Sequence, residues 1–245
     1  MRALGLDPSL SAYGWAIHDS SVSGKERRIV SGHEQTLPST VPVARFMHFR
    51  TMVRNLLMEY DPDVVGIESP AYDAGPFQTI HYGLMMFSLE VVFERRKDCV
   101  LFDPATLKML AKADPSVRKG TMTKLDMQRY VQLDTMDSAV IDNNEADAYC
   151  VGLFAARFME TVSGSVDLSS LTPSEQRVFL GRKRVVTTAN GKKVRRIAHA
   201  FRENSRYFAF SKIPPGNVSL PKKSDIPSSL TDFLESLEGD GKSRV

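Results

Sequence analysis

The order of apolar segments along the first 160 residues is the feature that most constrains the fold. Three short segments in which apolar and polar residues alternate come first, and longer segments with helical periodicity then alternate with short apolar runs. The predicted strands cover residues 2–7, 13–18, 28–34, 63–68 and 100–102, and the predicted helices cover 43–60, 80–95, 105–111, 123–133 and 143–159. This order predicts an α/β fold in which helices cover the faces of one sheet.

Three acidic residues lie at the ends of these predicted elements. Asp7 ends the first strand, Glu68 ends the fourth, and Asp147 lies in the first two turns of the last helix. A single acid at such a position is more often a cap, a turn residue or a solvated charge. However, a carboxylate that leaves a buried strand is costly unless it is paired or binds a metal. Hard cations such as Mg²⁺ prefer carboxylate oxygens, and two of them can hold the attacking and leaving oxygens of a phosphodiester.

The residues around these acids resemble RuvC-type Holliday junction resolvases. The segment GLDPSLS at residues 5–11, with Gly14 after it, is similar to the opening strand of that family. VGIE at residues 65–68 resembles its second acidic motif, and NEADAY at residues 144–149 resembles its last, acid-bearing helix. The resemblance covers about residues 1–160.

This resemblance implies a fold, a reaction and a set of partners. The fold is a ribonuclease H-like mixed sheet flanked by helices. The reaction is that of a crossover junction endodeoxyribonuclease, a homodimer that nicks four-way DNA junctions symmetrically in recombination and repair. The cofactor is Mg²⁺, for which Mn²⁺ substitutes, with two ions in each active site. The implied metal ligands are Asp7, Glu68 and Asp147.

The fourth ligand is open between two residues. The family has His or Asp three residues before its last Asp, and here that position is Asn144, which shares a helix face with Asp147. Glu145 is the second candidate. The segment that starts at Asp142 also fits a capping box, with Asp142 as the N-cap and Glu145 at the third helical position, and such a box would explain Glu145 without a metal.

Two lysines and two aromatic residues are further candidates. Lys108 and Lys124 match basic positions that lie beside the scissile phosphate in the family, where a cation stabilises developing negative charge. Ordinary exposed lysines remain the alternative. Tyr72, and Phe77 as the second candidate, lie in a loop that resembles the one bearing an aromatic wedge, which could stack on an unpaired base. Core packing explains either ring equally well.

The charge of the chain divides at about residue 160. Residues 1–160 hold 17 basic and 21 acidic side chains, whereas residues 161–245 hold 15 basic and 8 acidic ones. Residues 182–206 alone hold nine basic residues and one acid, and two short apolar-basic segments in them are joined around Ala189-Asn190-Gly191, which predicts a β-hairpin. A solvated basic face is the alternative to phosphate contact. The predicted DNA-binding residues here and in the central loop are Arg118, Lys119, Arg182, Lys183, Arg184, Lys192, Lys193, Arg195 and Arg196.

We therefore expect a nuclease domain at 1–160, a basic appendage at 161–213 and a largely flexible tail at 214–245. No apolar run approaches the roughly 20 residues that span a bilayer, and the first residues show no secretory signal pattern. The two cysteines, Cys99 and Cys150, form no CxxC pair, so neither a zinc site nor a disulfide framework is expected. These features favour the cytoplasm of a bacterial or phage-infected cell. A compact core with a basic appendage would suit a bacteriophage-type member.

Three other functions are compatible with the same patterns. The first is a nuclease that cuts branched or flapped replication DNA. The second is a junction-binding protein without catalytic activity, which Asn144 would favour because it replaces an ionisable residue. The third is an actin-like ATP-binding sugar kinase, since such proteins also begin with a Gly-x-Asp strand, but a second phosphate loop is missing and the chain is short.

Overall fold

The structure is a computed structural model of the chain. It describes residues 1–36, 41–70, 78–112, 122–137, 141–179, 184–187, 193–196 and 207–210, the last three segments as backbone only. The strands are β1 (Arg2–Asp7), β2 (Ala12–Asp19), β3 (Arg28–Gln35), β4 (Val64–Glu68), β5 (Asp98–Phe102), β6 (Arg184–Thr187), β7 (Lys193–Arg196) and β8 (Tyr207–Phe210). The helices are α1 (Pro42–Tyr60), α2 (Gln78–Glu94), α3 (Pro104–Ala111), α4 (Lys124–Thr135), α5 (Asn143–Ser163) and α6 (Pro173–Phe179). All the strands and helices predicted for the first 160 residues are present.

Six strands form one mixed sheet in the order β3-β2-β1-β4-β5-β8. The neighbours β1 and β2, and β2 and β3, are antiparallel, whereas β1 and β4, β4 and β5, and β5 and β8 are parallel. The predicted mixed sheet flanked by helices is therefore confirmed. The sequence patterns did not predict β8 or the short helix α6.

The predicted basic hairpin is also present. β6 and β7 pair antiparallel as a separate two-stranded sheet, in which Arg184 lies opposite Arg196 and Val186 opposite Val194. The residues that would form its turn lie outside the described residues, as does the whole predicted tail.

Side-chain alternation along the strands divides the core into two clusters. Leu4 and Leu6 of β1 belong to the cluster that α1 and α2 cover, whereas Ala3 belongs to the cluster that α5 covers. Since side chains on a strand point alternately to the two faces, Gly5 and Asp7 lie on the α5 side together with Ala3. The last residue of β1 therefore faces α5.

Helix α5 lies directly on the backbone of the central strands. A Cβ atom at Gly5 would be 1.8 Å from the carbonyl oxygen of Ala148, and one at Gly14 would be 2.2 Å from the carbonyl oxygen of Asn144. No side chain fits between the helix and the sheet at these two points. The glycines of β1 and β2 thus fix both the height and the position of α5.

Residues beyond the predicted nuclease boundary pack on the same core. Val178 and Phe179 of α6 are buried in the α5 cluster, and the Phe179 ring lies 5.6 Å from that of Phe158. Arg157 also donates from Nε to Glu175 Oε1 over 3.1 Å. The boundary at residue 160 stays a prediction. In the described part of the chain, no helix combines the length and the apolar character that a membrane span requires.

Candidate active site

The sheet register brings Asp7 and Glu68 to the same edge. β1 and β4 are adjacent and parallel, and Leu6 pairs with Ile67, so each strand ends in its acid at the same level. Adjacent strands lie about 4.8 Å apart. Glu68 is two residues after Gly66, and residues two apart on a strand lie on the same face of the sheet. Gly66 lies against Val151 of α5, so Glu68 faces α5 as Asp7 does.

The first two turns of α5 place Asp147 above this edge. Gly14, on which the backbone of Asn144 lies, pairs directly with Asp7 in the β1–β2 ladder. Asp147 is one helical turn after Asn144 and directly precedes Ala148, whose carbonyl meets Gly5. Asp142 begins the helix, since its Oδ1 accepts a 2.8 Å hydrogen bond from the backbone N–H of Asn144, which confirms the predicted N-cap.

The three acids share one electrostatic environment. Burial, together with the charge of Asp147, raises the pKa of Asp7 to about 7. Burial raises the pKa of Glu68 well above its usual range, and the charges of Asp7 and Asp147 add to that effect. Burial also raises the pKa of Asp147. Asp147 thus disfavours the ionisation of both Asp7 and Glu68, and Asp7 disfavours that of Glu68.

Two lysines oppose these shifts. The charge of Lys108, on α3, lowers the pKa of Glu68 and of Asp147, while that of Lys124, the first residue of α4, lowers the pKa of Asp7 and of Asp147. Both side chains are exposed. The two predicted cations thus lie on the same side of the sheet as the three predicted acids.

Each lysine is positioned by a capped helix start. Asp103 caps α3 by accepting from the backbone N–H groups of Ala105 and Thr106. Thr123 caps α4 in a reciprocal capping box with Asp126. The caps Asp103 and Asp142 also extend the acidic field, because Asp103 raises the pKa of Glu68 and Asp142 that of Asp7. Asp103 was not among the predicted site residues, although the Asp-Pro pair at 103–104 marks a helix start.

The donor set suits a hard divalent cation. It consists of half-buried carboxylates from three elements, two strand ends and one helix. Such groups gain most from a cation with oxygen ligands. Their spacing does not form a closed coordination site, since within the described segments no three His, Cys, Asp or Glu side chains are gathered closely enough to hold a metal ion.

The two candidates for the fourth position point in different directions. Asn144 lies over Gly14, beside Asp7. Glu145 instead faces β3, where its Oε2 accepts a 2.7 Å hydrogen bond from Ser31 Oγ and its Oε1 lies 3.3 Å from His33 Nδ1. The capping box suggested for Glu145 is not formed, because its carboxylate is engaged by β3.

Several predicted DNA-binding residues have no described side chain. Tyr72, Phe77, Arg118, Lys119, Arg182, Lys183 and Lys192 lie outside the described residues. Arg184, Lys193, Arg195 and Arg196 are described only as backbone positions on β6 and β7. Their contacts with DNA stay predictions.

Comparison with curated proteins finds similarity to bacterial crossover junction endodeoxyribonucleases RuvC, while no family model matches. The protein from Caldicellulosiruptor saccharolyticus is 35% identical over 69 residues, which are 28% of this chain and 41% of the relative. That from Rickettsia bellii (strain RML369-C) is 24% identical over 152 residues, 62% of this chain and 94% of the relative. The chain thus matches less than half the length of the Caldicellulosiruptor protein.

Solved structures show the same fold. Thermus thermophilus RuvC superimposes with a TM-score of 0.56 at 17% identity, over 66% of this chain and 97% of that chain. T. thermophilus RuvC in complex with Holliday junction substrate gives a TM-score of 0.55 at 15% identity, over 66% and 96%. The predicted ribonuclease H-like fold and the resemblance to RuvC-type resolvases are confirmed.

Proposed function

From its RuvC-type fold and sequence motifs, we propose that the chain is a metal-dependent, structure-selective endonuclease that nicks four-way DNA junctions symmetrically. The observation that carries the proposal is the set of three half-buried acids at one edge of the sheet, whose raised pKa values two exposed lysines oppose. A partly desolvated cluster of like charges destabilises a fold unless a cation compensates it. Its presence at an open sheet edge therefore favours a role in binding metal and phosphate. Such nicking would serve DNA recombination and repair.

The cofactor that RuvC-type proteins imply is a divalent metal, and we propose Mg²⁺, replaceable by Mn²⁺, with two ions in each site. Asp7, Glu68 and Asp147 would hold them. When bound, a pair of such ions activates a water molecule and stabilises the leaving oxygen of the phosphodiester. The raised pKa of Asp7, about 7, means that this carboxyl group must lose its proton for the site to form, which a bound cation favours.

Helix geometry supports Asn144 rather than Glu145 as the fourth ligand. Each residue turns an α-helix by about 100°, so Asn144 lies about 60° from Asp147 around the axis and Glu145 about 160° from it. Only Asn144 can share a small ligand with Asp147. Glu145 is directed toward Ser31 and His33.

Lys108 and Lys124 would act on the phosphate rather than on the metals. Because they lie on the same side of the sheet as the acids and remain exposed, their ammonium groups can meet a phosphate that approaches the carboxylates. They would stabilise the negative charge that grows on the phosphate oxygens during attack. Symmetric nicking requires two sites related by a two-fold axis, and a second copy of this chain would supply the other site.

The basic hairpin β6–β7 would hold the duplex arms. Its register places Arg184 opposite Arg196 and Val185 opposite Arg195, so basic residues of the two strands are neighbours. Each phosphate that such residues neutralise adds nearly one unit to the slope of log affinity against log salt.

The test is cleavage of a synthetic four-way junction by the full chain with Mg²⁺, Mn²⁺ or chelator. Asp7→Asn should keep junction binding and lose nicking, whereas the control Asp61→Asn, at an exposed position, should cut normally. Nicking by Asp7→Asn at the rate of the unmodified protein would refute the metal site. Preferential cutting of forks or flaps over four-way junctions would replace the proposed substrate with branched replication DNA.

A further inference from the structure

The first turn of α5 connects to the sheet on two sides. Across the sheet, Asp7 pairs with Gly14, and Gly14 pairs with His33 of β3. These three residues form one row, with the acid at one end and the histidine at the other. The backbone of Asn144 lies over Gly14, in the middle of this row. Asn144 and Asp147 therefore face the acid end of the row, and Glu145 faces the histidine end.

Glu145 is held on the β3 side by both of its carboxylate oxygens. Ser31 Oγ donates to Oε2 over 2.7 Å, and His33 Nδ1 lies 3.3 Å from Oε1. Gln35 Nε2 lies 3.1 Å from His33 Nε2, which restricts the rotation of the imidazole ring. The Glu145 side chain is only 17% exposed, so these contacts are partly shielded from water.

The strand that holds Glu145 is itself well fixed. Gly32, between Ser31 and His33, packs against the ring of Trp15. The contact leaves no room for a side chain, since a Cβ atom at Gly32 would lie 2.7 Å from Trp15 Cζ2. Trp15 and Gly32 are also ladder partners. With the indole ring on the opposite face of β3, the side chains of Ser31 and His33 are held toward α5.

A tether at this point has a mechanical consequence. The first four N–H groups of a helix have no partner within the helix, so its first turn is the part that most easily frays or rotates. The cap Asp142 supplies one bond to that turn. Glu145 adds a link to β3 on the opposite side of the helix from Asp147, which opposes rotation of the turn about the helix axis.

We propose that Glu145 is a positioning residue which, through Ser31 and His33, orients Asn144 and Asp147 toward Asp7 and Glu68. The proposal depends on the function proposed above, because the orientation matters only if these acids bind metal. It assigns to β3 a part in the site that the acidic motifs do not indicate. Residues that orient metal ligands typically change metal affinity or activity by about 10- to 100-fold when they are replaced.

The test uses two measurements on the full chain. The first is Mn²⁺ binding to the free protein by titration calorimetry, and the second is kcat and KM for a four-way junction. Glu145→Ala should weaken Mn²⁺ binding and lower kcat by about ten-fold, and Ser31→Ala by about five-fold, with KM unchanged. Glu145→Gln should stay within about two-fold of the unmodified protein, because the amide oxygen still accepts from Ser31.

The control is Glu34→Ala, which removes a neighbouring acid of β3 that contacts His48 and not α5. It should change neither measurement. If Glu145 were instead a ligand, Glu145→Gln would lose Mn²⁺ as Asp147→Asn does while Ser31→Ala would bind normally, and that result would overturn the proposal. Unchanged Mn²⁺ binding in both alanine variants would overturn it too, as would an unmodified protein that binds no Mn²⁺.

The two measurements also separate this proposal from the proposed function. Mn²⁺ binding needs no DNA, so an unmodified protein that binds Mn²⁺ and cuts no junction would refute the substrate alone. The order of Mn²⁺ affinities among the variants would still decide the role of Glu145.

Discussion

Replacement of Gly5 by Ala tests whether direct contact between helix and sheet positions the site. The added Cβ atom would lie 1.8 Å from the carbonyl oxygen of Ala148 and 2.5 Å from the backbone nitrogen of Gly152. Ordinary contacts between carbon and carbonyl oxygen are about 3.3–3.6 Å. Both neighbours are backbone atoms, so no side chain can rotate away, and α5 must move from β1 by about 1.5 Å.

The expected cost follows from what this movement disturbs. Adding one methyl group to a tightly packed core typically costs about 1–3 kcal/mol, and the highest values arise where the backbone itself must shift. We therefore expect Gly5→Ala to lower the free energy of unfolding by about 3 kcal/mol or more. For a chain of this size, that corresponds to a fall in Tm of about 6–12 °C.

The assay is thermal unfolding followed by circular dichroism, with Gly83→Ala as the matched control. A Cβ atom at Gly83 of α2 would meet only the Phe46 ring, at 3.2 Å, and that side chain can adjust. Because Ala favours a helix over Gly by about 1 kcal/mol, the control should be neutral or stabilised. A Gly5→Ala protein that melts within 2–3 °C of the unmodified chain, which is about 1 kcal/mol, would show that α5 does not depend on this contact.

Two further substitutions test buried charge and catalysis. Burial lowers the pKa of His18 to about 3, so below pH 6.5 the unfolded chain binds a proton that the folded chain does not. By pH 5 this group alone makes stability fall by about 2 kcal/mol, against the opposite contributions of Asp7 and Glu68. In urea unfolding at pH 7 and pH 5, His18→Phe should remove this fall, whereas the control His48→Phe, at an exposed position, should not. An unaltered pH dependence in His18→Phe would contradict the lowered pKa of His18. Lys108→Met should slow junction nicking by about 100-fold with little change in junction affinity. Lys112→Met, at the C-cap of α3 one turn after Lys108, is its control, and equal losses in both variants would indicate a general charge effect.

Local patterns predicted the central strands and helices because each face of the sheet is buried by a different layer. Leu4 and Leu6 alternate with Ala3 and Gly5 along β1; the two leucines enter one hydrophobic cluster and Ala3 enters the other. The same alternation predicts that Asp7 leaves the strand on one defined side. Since parallel strands end at a common edge, the approach of Asp7 to Glu68 also follows from the sequence.

Contacts between distant segments could not be predicted in this way. β8 is a four-residue apolar segment that follows a basic region, and it becomes a strand by pairing with β5, more than 100 residues earlier. The sequence leaves Glu145 open between a helix cap and a metal ligand, because no residue near it in the sequence indicates that Ser31 and His33 lie opposite it. In both cases the deciding partner belongs to another element, so only the fold can identify it.

The placement of the acids links the stability of the fold to its chemistry. Asp7 and Glu68 end two hydrogen-bonded strands, and Asp147 lies on a helix whose backbone touches the sheet, so the three carboxylates cannot separate without disrupting the core. Their burial and mutual repulsion favour protonation, and the two cations that oppose it, Lys108 and Lys124, are exposed, where solvent weakens their effect. The rigid edge therefore retains an unfavourable energy that a divalent cation would relieve. A cation that binds only the folded chain stabilises it in proportion to the logarithm of its concentration, so metal binding and folding should be coupled in this protein.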